Sequence, residues 1–226
     1  MKKIFPLLSI IFICSSCGLL LKKAMRLHNP EVQTKESVTA YLEKINSPFS
    51  YSYILNDPGS EDAIEEAFFG AMENKKGILI DRNYNQYCYT GTTKCTGVQI
   101  RQSFNDLENN YEICKKYPFD SLVEKLDPLS GSYGMEKIDS DYYYIVNWAI
   151  YLGTEKTNEE DFQWLKELEK NANKNIQIIL VNTDLQSSWG LEEGKKVRVH
   201  FKKIKDSEGG FEMIYSDLPY QTEGDS

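Results

Sequence analysis

The stretch Tyr142 to Trp189 reads YYYIVNWAIYLGTEKTNEEDFQWLKELEKNANKNIQIILVNTDLQSSW. It opens with an apolar run that ends at Trp148-Ala149, passes through Gly153, and continues with apolar residues at helical spacing. Phe162, Leu165, Leu168 and Ala172 make that helical stripe. Thr157 followed by Glu160 has the form of a capping box, so the helix is expected to start at Thr157 or Asn158. Gln177 to Asn182 is almost wholly apolar, as a strand covered on both faces should be. Strand, helix and strand in this order predict a βαβ unit and an α/β fold.

Upstream, Val38, Tyr41, Leu42 and Ile45 fall on one face of a predicted helix over 34–45. Phe49 to Leu55 reads as a strand. Ser60 is a natural cap for a helix carrying Ile64, Ala67, Phe68, Ala71 and Met72. Two short strands, Ile78 to Ile80 and Gln86 to Tyr89, flank a turn at Arg82 to Asn85, and Val98 to Ile100 precedes a helix expected from Ser103. The order α-β-α-β-β-α suits either a degenerate repeat of the later segment or a companion subdomain. Pro118, Pro128, Gly131 and Gly134 punctuate a boundary around a short helix from Phe119 to Leu126. Val197, Val199 and Phe201 alternate with Lys196, Arg198, His200 and Lys202, and Phe211, Met213 and Tyr215 return after a turn at Asp206 to Gly210. That pattern predicts a C-terminal β-hairpin.

The chain has 226 residues, 41% hydrophobic and 27% charged, and a formal charge of -8. The acidic balance argues against non-specific nucleic-acid binding. Lys2-Lys3, the apolar run Ile4 to Ile13 and Ser15-Ser16-Cys17 resemble a bacterial lipoprotein signal peptide, with Cys14 where Leu or Val is usual. The resemblance implies lipidation at Cys17 and a membrane-lipid partner. It also implies a cell-envelope location, with the outer membrane facing the periplasm favoured by Gly18. An uncleaved anchor over Ile4 to Leu21 is the competing reading. The expected division is a signal peptide (1–16), a lipidated N-terminus and tether (17–30) and an α/β segment (31–112). A linker with its short helix (113–134), the βαβ unit with its hairpin (135–220) and a loose tail (221–226) complete it.

In an oxidising compartment Cys88 and Cys95, separated by Gly91, are candidates for a disulfide, and Cys114 is the odd thiol. His28 and His200 lack Cys/His neighbours at ligand spacing, so neither a metal nor another cofactor is expected. Glu159, Glu160 and Asp161 suit a helix start better than acid–base work. The basic face Lys196, Arg198, His200, Lys202 reads as a solvated or guarded strand, with an anion or partner contact as the alternative.

Trp148-Ala149-Ile150-Tyr151-Leu152-Gly153-Thr154-Glu155 resembles the Trp-Ala-x-Trp-Cys-Gly-x-Cys of thioredoxin-like proteins, and Val181-Asn182-Thr183-Asp184 is similar to the family's Val-Asn-x-Asp. The resemblance covers about the last 90 residues of the sequence. It implies that Leu152 stands at the nucleophilic cysteine and Glu155 at the resolving one, while the family's cis-proline has no counterpart near Lys196 to Arg198. Disulfide exchange requires a thiolate, which Leu152 cannot supply. The expectation is a redox-inactive scaffold that binds an unidentified protein or small molecule, with Tyr151, Leu152, Glu155 and Trp189 as candidate binding residues and no catalytic residue. Tyr142 to Tyr144 are expected to join Tyr151 and Trp189 near the strand ends, where core or rim packing is weighed above ligand binding as their role. The alternatives are a thiol redox protein using Cys88 and Cys95, and a structural envelope component.

Overall fold

The computed structural model describes residues 27–56, 58–60, 62–64, 77–129, 138–203 and 211–221, with the side chains of 203 and 211–213 excepted. The signal peptide, Cys17 and most of the tether therefore lie outside the described residues, as do most of the helix expected after Ser60 and the Asp206 to Gly210 turn. The helices are α1 (Lys35–Lys44), α2 (Thr96–Asn105), α3 (Leu107–Asn110), α4 (Phe119–Val123) and α5 (Glu155–Lys170). The strands are β1 (Ser52–Leu55), β2 (Ile78–Asp81), β3 (Asn85–Tyr89), β4 (Tyr111–Lys116), β5 (Leu126–Pro128), β6 (Tyr142–Trp148), β7 (Ile176–Asn182), β8 (Val199–Lys203) and β9 (Phe211–Tyr215).

The fold is α/β. Seven strands form one mixed sheet in the order β4-β3-β2-β6-β7-β1-β5. β6 and β7 run parallel, from Tyr142 opposite Ile176 to Trp148 opposite Asn182, and α5 connects them. β1 joins β7 in parallel and β2 joins β6 antiparallel. Strands from the expected segment 31–112 therefore flank the βαβ unit on both sides in a shared sheet. The expected boundary at 112/113 cuts through β4. The predicted hairpin forms as β8 and β9, but as a separate two-stranded sheet. The hairpin next to β6 is β2–β3, supplied from upstream.

Period-two burial explains why these strands are central. Ile54, Leu79, Tyr144, Ile178 and Leu180 point to one face, against Val38 and Leu42 of α1, Phe104 of α2, and Phe162, Leu165 and Leu168 of α5. Tyr53, Ile80, Tyr143, Ile145, Ile179 and Val181 point to the other, against Phe119, Leu126 and Ile138. Gly77, with φ +69°, turns the chain into β2 where a Cβ would lie 2.7 Å from the buried Tyr144 ring, so a larger residue is excluded there.

Several local expectations are corrected. α5 begins one turn early, because Thr154 and Thr157 form a reciprocal capping box ahead of the predicted Thr157–Glu160 pair. Val98 to Ile100 is already helical, within α2. Ile100, Ser103, Phe104 and Leu107 bury one face at i, i+3, i+4, i+7, a spacing that the polar Ser103 obscures in the sequence. β4, whose last four residues fall in the expected linker, is mostly exposed, and its sequence lacks the alternation that would mark a strand. It is an edge strand with a register irregularity between Gln86 and Tyr87, and Lys115 and Lys116 guard it. Cys88 pairs with Cys114 across β3 and β4, not with Cys95, which is a free, exposed thiol. Strand pairing brings residues 26 apart to a Cα separation of 5.7 Å, a proximity that sequence spacing cannot show. The last part of the expected tether is docked: Leu27 and Pro30 are buried, and the Pro30 carbonyl accepts from Val197 N at 2.8 Å.

Candidate functional site

The C-terminal ends of β6 and β7 are where a parallel unit exposes its two βα loops, and ligands favour such ends in open α/β sheets. Here those loops carry a cluster of buried polar groups: Asn182, Thr183, Asp184 and Gln186 are at most 2% exposed. β7 ends at Asn182, so these residues leave the apolar strand without reaching solvent. Their hydrogen bonds are internal. Asn182 Nδ2 donates to Asp184 Oδ2 at 2.7 Å, Asn182 Oδ1 accepts from Asp184 N at 3.1 Å, and Gln186 Nε2 donates to the Asp184 carbonyl at 3.0 Å. Gln186 Oε1 is buried without a partner among the described residues.

Asp184 also holds the loop after β6. Its Oδ2 accepts from Ile150 N at 2.8 Å, and Tyr151 N donates to the same carboxyl group. Ile150–Leu152 is a single 3-10 turn, and Asp184 fastens it to the end of β7. Burial pushes the Asp184 pKa up to about 6, against the opposing pull of the Ile150, Asn182 and Tyr151 donors. Tyr151, buried beside this carboxyl, is raised above the ordinary phenol range, mainly by desolvation and secondarily by the Asp184 charge. Tyr41, half-buried on α1, is raised by burial too, although Asn158 Nδ2 donates to its hydroxyl at 2.7 Å.

A cleft of about 570 Å3 opens beside this cluster. Asp184, Ile150, Tyr151 and Tyr41 line it on the sheet side, and Gly153 to Lys156 at the start of α5 form another wall. The third wall comes from the extended segment Leu27 to Gln33. His28 N donates to the Tyr151 carbonyl at 2.9 Å, Val32 N to Lys195 O at 2.9 Å and Gln33 N to Leu185 O at 2.7 Å. Gly153 is buried here, and a Cβ on it would stand 2.3 Å from Asn158 Oδ1, the residue that bonds Tyr41.

The four candidate binding residues separate. Tyr151 and Glu155 line the cleft, Tyr151 as a 2% exposed floor residue and Glu155 at its rim in an ion pair with Lys44 at 2.6 Å. Leu152 sits two residues ahead of the Thr154 cap and lines a second, smaller cavity of about 290 Å3. Trp189 lines neither of these cavities. It is 4% exposed in an apolar cluster with Leu27, Val32, Leu185, Leu191 and Val197, and its Nε1 donates to Leu55 O at 3.3 Å. Packing, not recognition, accounts for that indole. The expectation that Tyr142 to Tyr144 join this group is corrected: they begin β6, at the opposite end of the strand from Trp148.

Asp184 is the residue that pattern reading passed over. The sequence offers it as the end of the second apolar stretch and of the Val181 to Asp184 match, and a lone acid two residues past such a strand is the signal of a buried carboxyl. No group of three or more His, Cys, Asp or Glu residues suited to a metal occurs among the described residues. The exposed Lys196, Arg198, His200 and Lys202 lie on the face opposite the buried Val197 and Val199, as a solvated strand face should, and Lys196 pairs with Glu31 at 3.2 Å. Among the described residues no helix is long and apolar enough to cross a membrane. No protein-family model, no curated protein and no solved structure matches this chain.

Proposed function

We propose that this chain is a lipid-anchored envelope protein whose thioredoxin-like scaffold serves binding instead of disulfide exchange. The observation that carries this reading is the cleft at the ends of β6 and β7. It stands where the Trp148 to Glu155 resemblance would put a redox site, and Ile150, Tyr151, Gly153, Thr154, Glu155 and Asp184 line it with no thiol among them. Concave sites with a few convergent polar groups and a carboxyl of shifted pKa are the usual form of a small-ligand or peptide site. The parallel β6-α5-β7 unit, with an antiparallel hairpin beside β6, supports the scaffold half of the proposal. Cys17 supports the anchor, the membrane-lipid partner and the periplasm-facing outer-membrane location, through its signal-peptide context alone.

The alternative of a Cys88–Cys95 redox pair loses its disulfide to Cys88–Cys114. Insulin reduction by dithiothreitol, with and without the purified mature protein, tests the redox-inactive scaffold. Rates should coincide, and catalysed turnover above the dithiothreitol background would overturn the proposal.

A further inference from the structure

The geometry points to the cleft as a site for a primary ammonium group, with Asp184 as its counter-ion; this deepens the binding role proposed above and rests on it. The acids that line the cleft are not equivalent. Glu155 is met by Lys44 Nζ at 2.6 Å, and Glu31 by Lys196 Nζ at 3.2 Å. Lys156, also on the cleft wall, stands 3.7 Å from Glu160. Asp184 differs: it lines the cleft at 1% exposure, receives neutral donors from Ile150, Tyr151 and Asn182, and has no cationic partner among the described residues. Buried carboxylates are ordinarily paired with a cation or kept protonated. A cavity that reaches such a group leaves room for the missing charge to arrive with a ligand.

The surroundings favour ammonium over a bulky apolar group. Tyr41 and Tyr151 line the cleft, and aromatic residues attract cations; Gln33 on the third wall adds an amide whose Oε1 also accepts from Ser37 Oγ at 2.8 Å. Guanidinium would demand a planar, two-pronged carboxylate, whereas Asp184 Oδ2 is already engaged by Ile150 and Asn182. The charged and titratable groups around Asp184 are Tyr41 from α1 and Tyr151 from the 3-10 turn, with His28 and Glu31 from the N-terminal segment. Glu155 and Lys156 from α5, and Lys196, complete the set. Burial holds the Asp184 pKa near 6, so an ammonium ligand must displace a proton below that pH and none above it.

Binding to the full mature protein is measured by calorimetry with three amines: Ala-Ala-Ala amide for a peptide α-amine, Nα-acetyl-lysine amide for a side-chain amine, and phosphoethanolamine for a lipid headgroup. Each is compared with its N-acetylated counterpart. At pH 7.5 at least one free amine should bind ten or more times more tightly than its acetylated form, and the tightest of the three identifies the source. Its affinity should fall about tenfold between pH 7.5 and pH 5, as Asp184 becomes protonated. Asp184→Asn should abolish the preference for the free amine. Equal binding of amine and acetylated probe, binding by none of the three, or an unchanged preference in D184N overturns the inference. The acetylation and pH arms use the native chain, so they decide the matter even if D184N does not fold. Failure here leaves the redox-inactive scaffold standing, since that reading falls only to measured reductase turnover.

Discussion

The two ends of the β6–β7 pair solve the same problem in opposite ways. At the start, where Tyr142 faces Ile176, the loops are tied by an exposed ion pair, backbone bonds and one neutral serine hydroxyl. Arg82 meets Asp141 at 2.6 Å with both side chains about half exposed, and Ser140 Oγ donates to Asn175 O at 2.8 Å. At the far end, where Trp148 faces Asn182, one buried carboxyl ties both βα loops and no cation meets it among the described residues. Exposed pairs are solvated whether made or broken, so they hold little energy. A buried acceptor of several N–H groups cannot be replaced by water, so the far end is more costly to disturb. The cleft occupies the costly end.

Removing the carboxyl should break this contrast most sharply. Asp184→Ala leaves the donors of Ile150, Tyr151 and Asn182 without their acceptor in a buried site. The expected loss is about 3–5 kcal/mol at pH 5, measured by urea denaturation. A loss below about 1 kcal/mol would mean that the loop after β6 does not depend on Asp184.

The pH dependence sharpens the same comparison at smaller scale. The Asp184 pKa is raised from an ordinary 3.8 to about 6, so the folded state binds its proton more tightly than the unfolded state does. Its contribution to stability is complete below the ordinary value and is lost as pH rises through 6. The stability gap between the native protein and Asp184→Ala should therefore narrow by roughly 1–2 kcal/mol from pH 5 to pH 7.5. A gap that widens over this range would give the shift the opposite sign.

The cheap and costly ends differ in how far sequence discloses them. Apolar runs at Ile145 and at Ile178 to Val181 disclose β6 and β7, because strands covered on both faces leave no other reading of such density. Helical spacing discloses α1 and most of α5. Non-local pairing is hidden: no period in Ile78 to Asp81 says that β2 lies against β6, and none says that Cys114 faces Cys88. Aromatic composition cannot separate core from rim either, which is why Trp189 stood beside Tyr151 as a candidate although it packs among Leu185, Leu191 and Val197. The candidate site was half legible. Tyr151 and Glu155 came from the motif register, whereas the role of Asp184 depends on burial and on donors from a loop more than 30 residues earlier.

The smallest effect should come from the exposed end. Arg82→Ala removes the 2.6 Å contact with Asp141, a longer one of 3.8 Å to Asp139 and a weak one of 3.5 Å to Ser140 O, from a side chain about half exposed to water. The Arg82 backbone N still donates to Asp141 O at 2.9 Å, so the loop keeps its backbone tie. The expected loss is about 0.2–1 kcal/mol, shrinking further when denaturation is repeated at 1 M salt, because screening acts on exposed pairs. A loss comparable to that of Asp184→Ala would show that the two ends do not differ in kind. A small, salt-sensitive loss beside a large one at Asp184 would place the rigidity of this fold at the same end as its cleft, where a ligand would meet loops already fixed before it arrives.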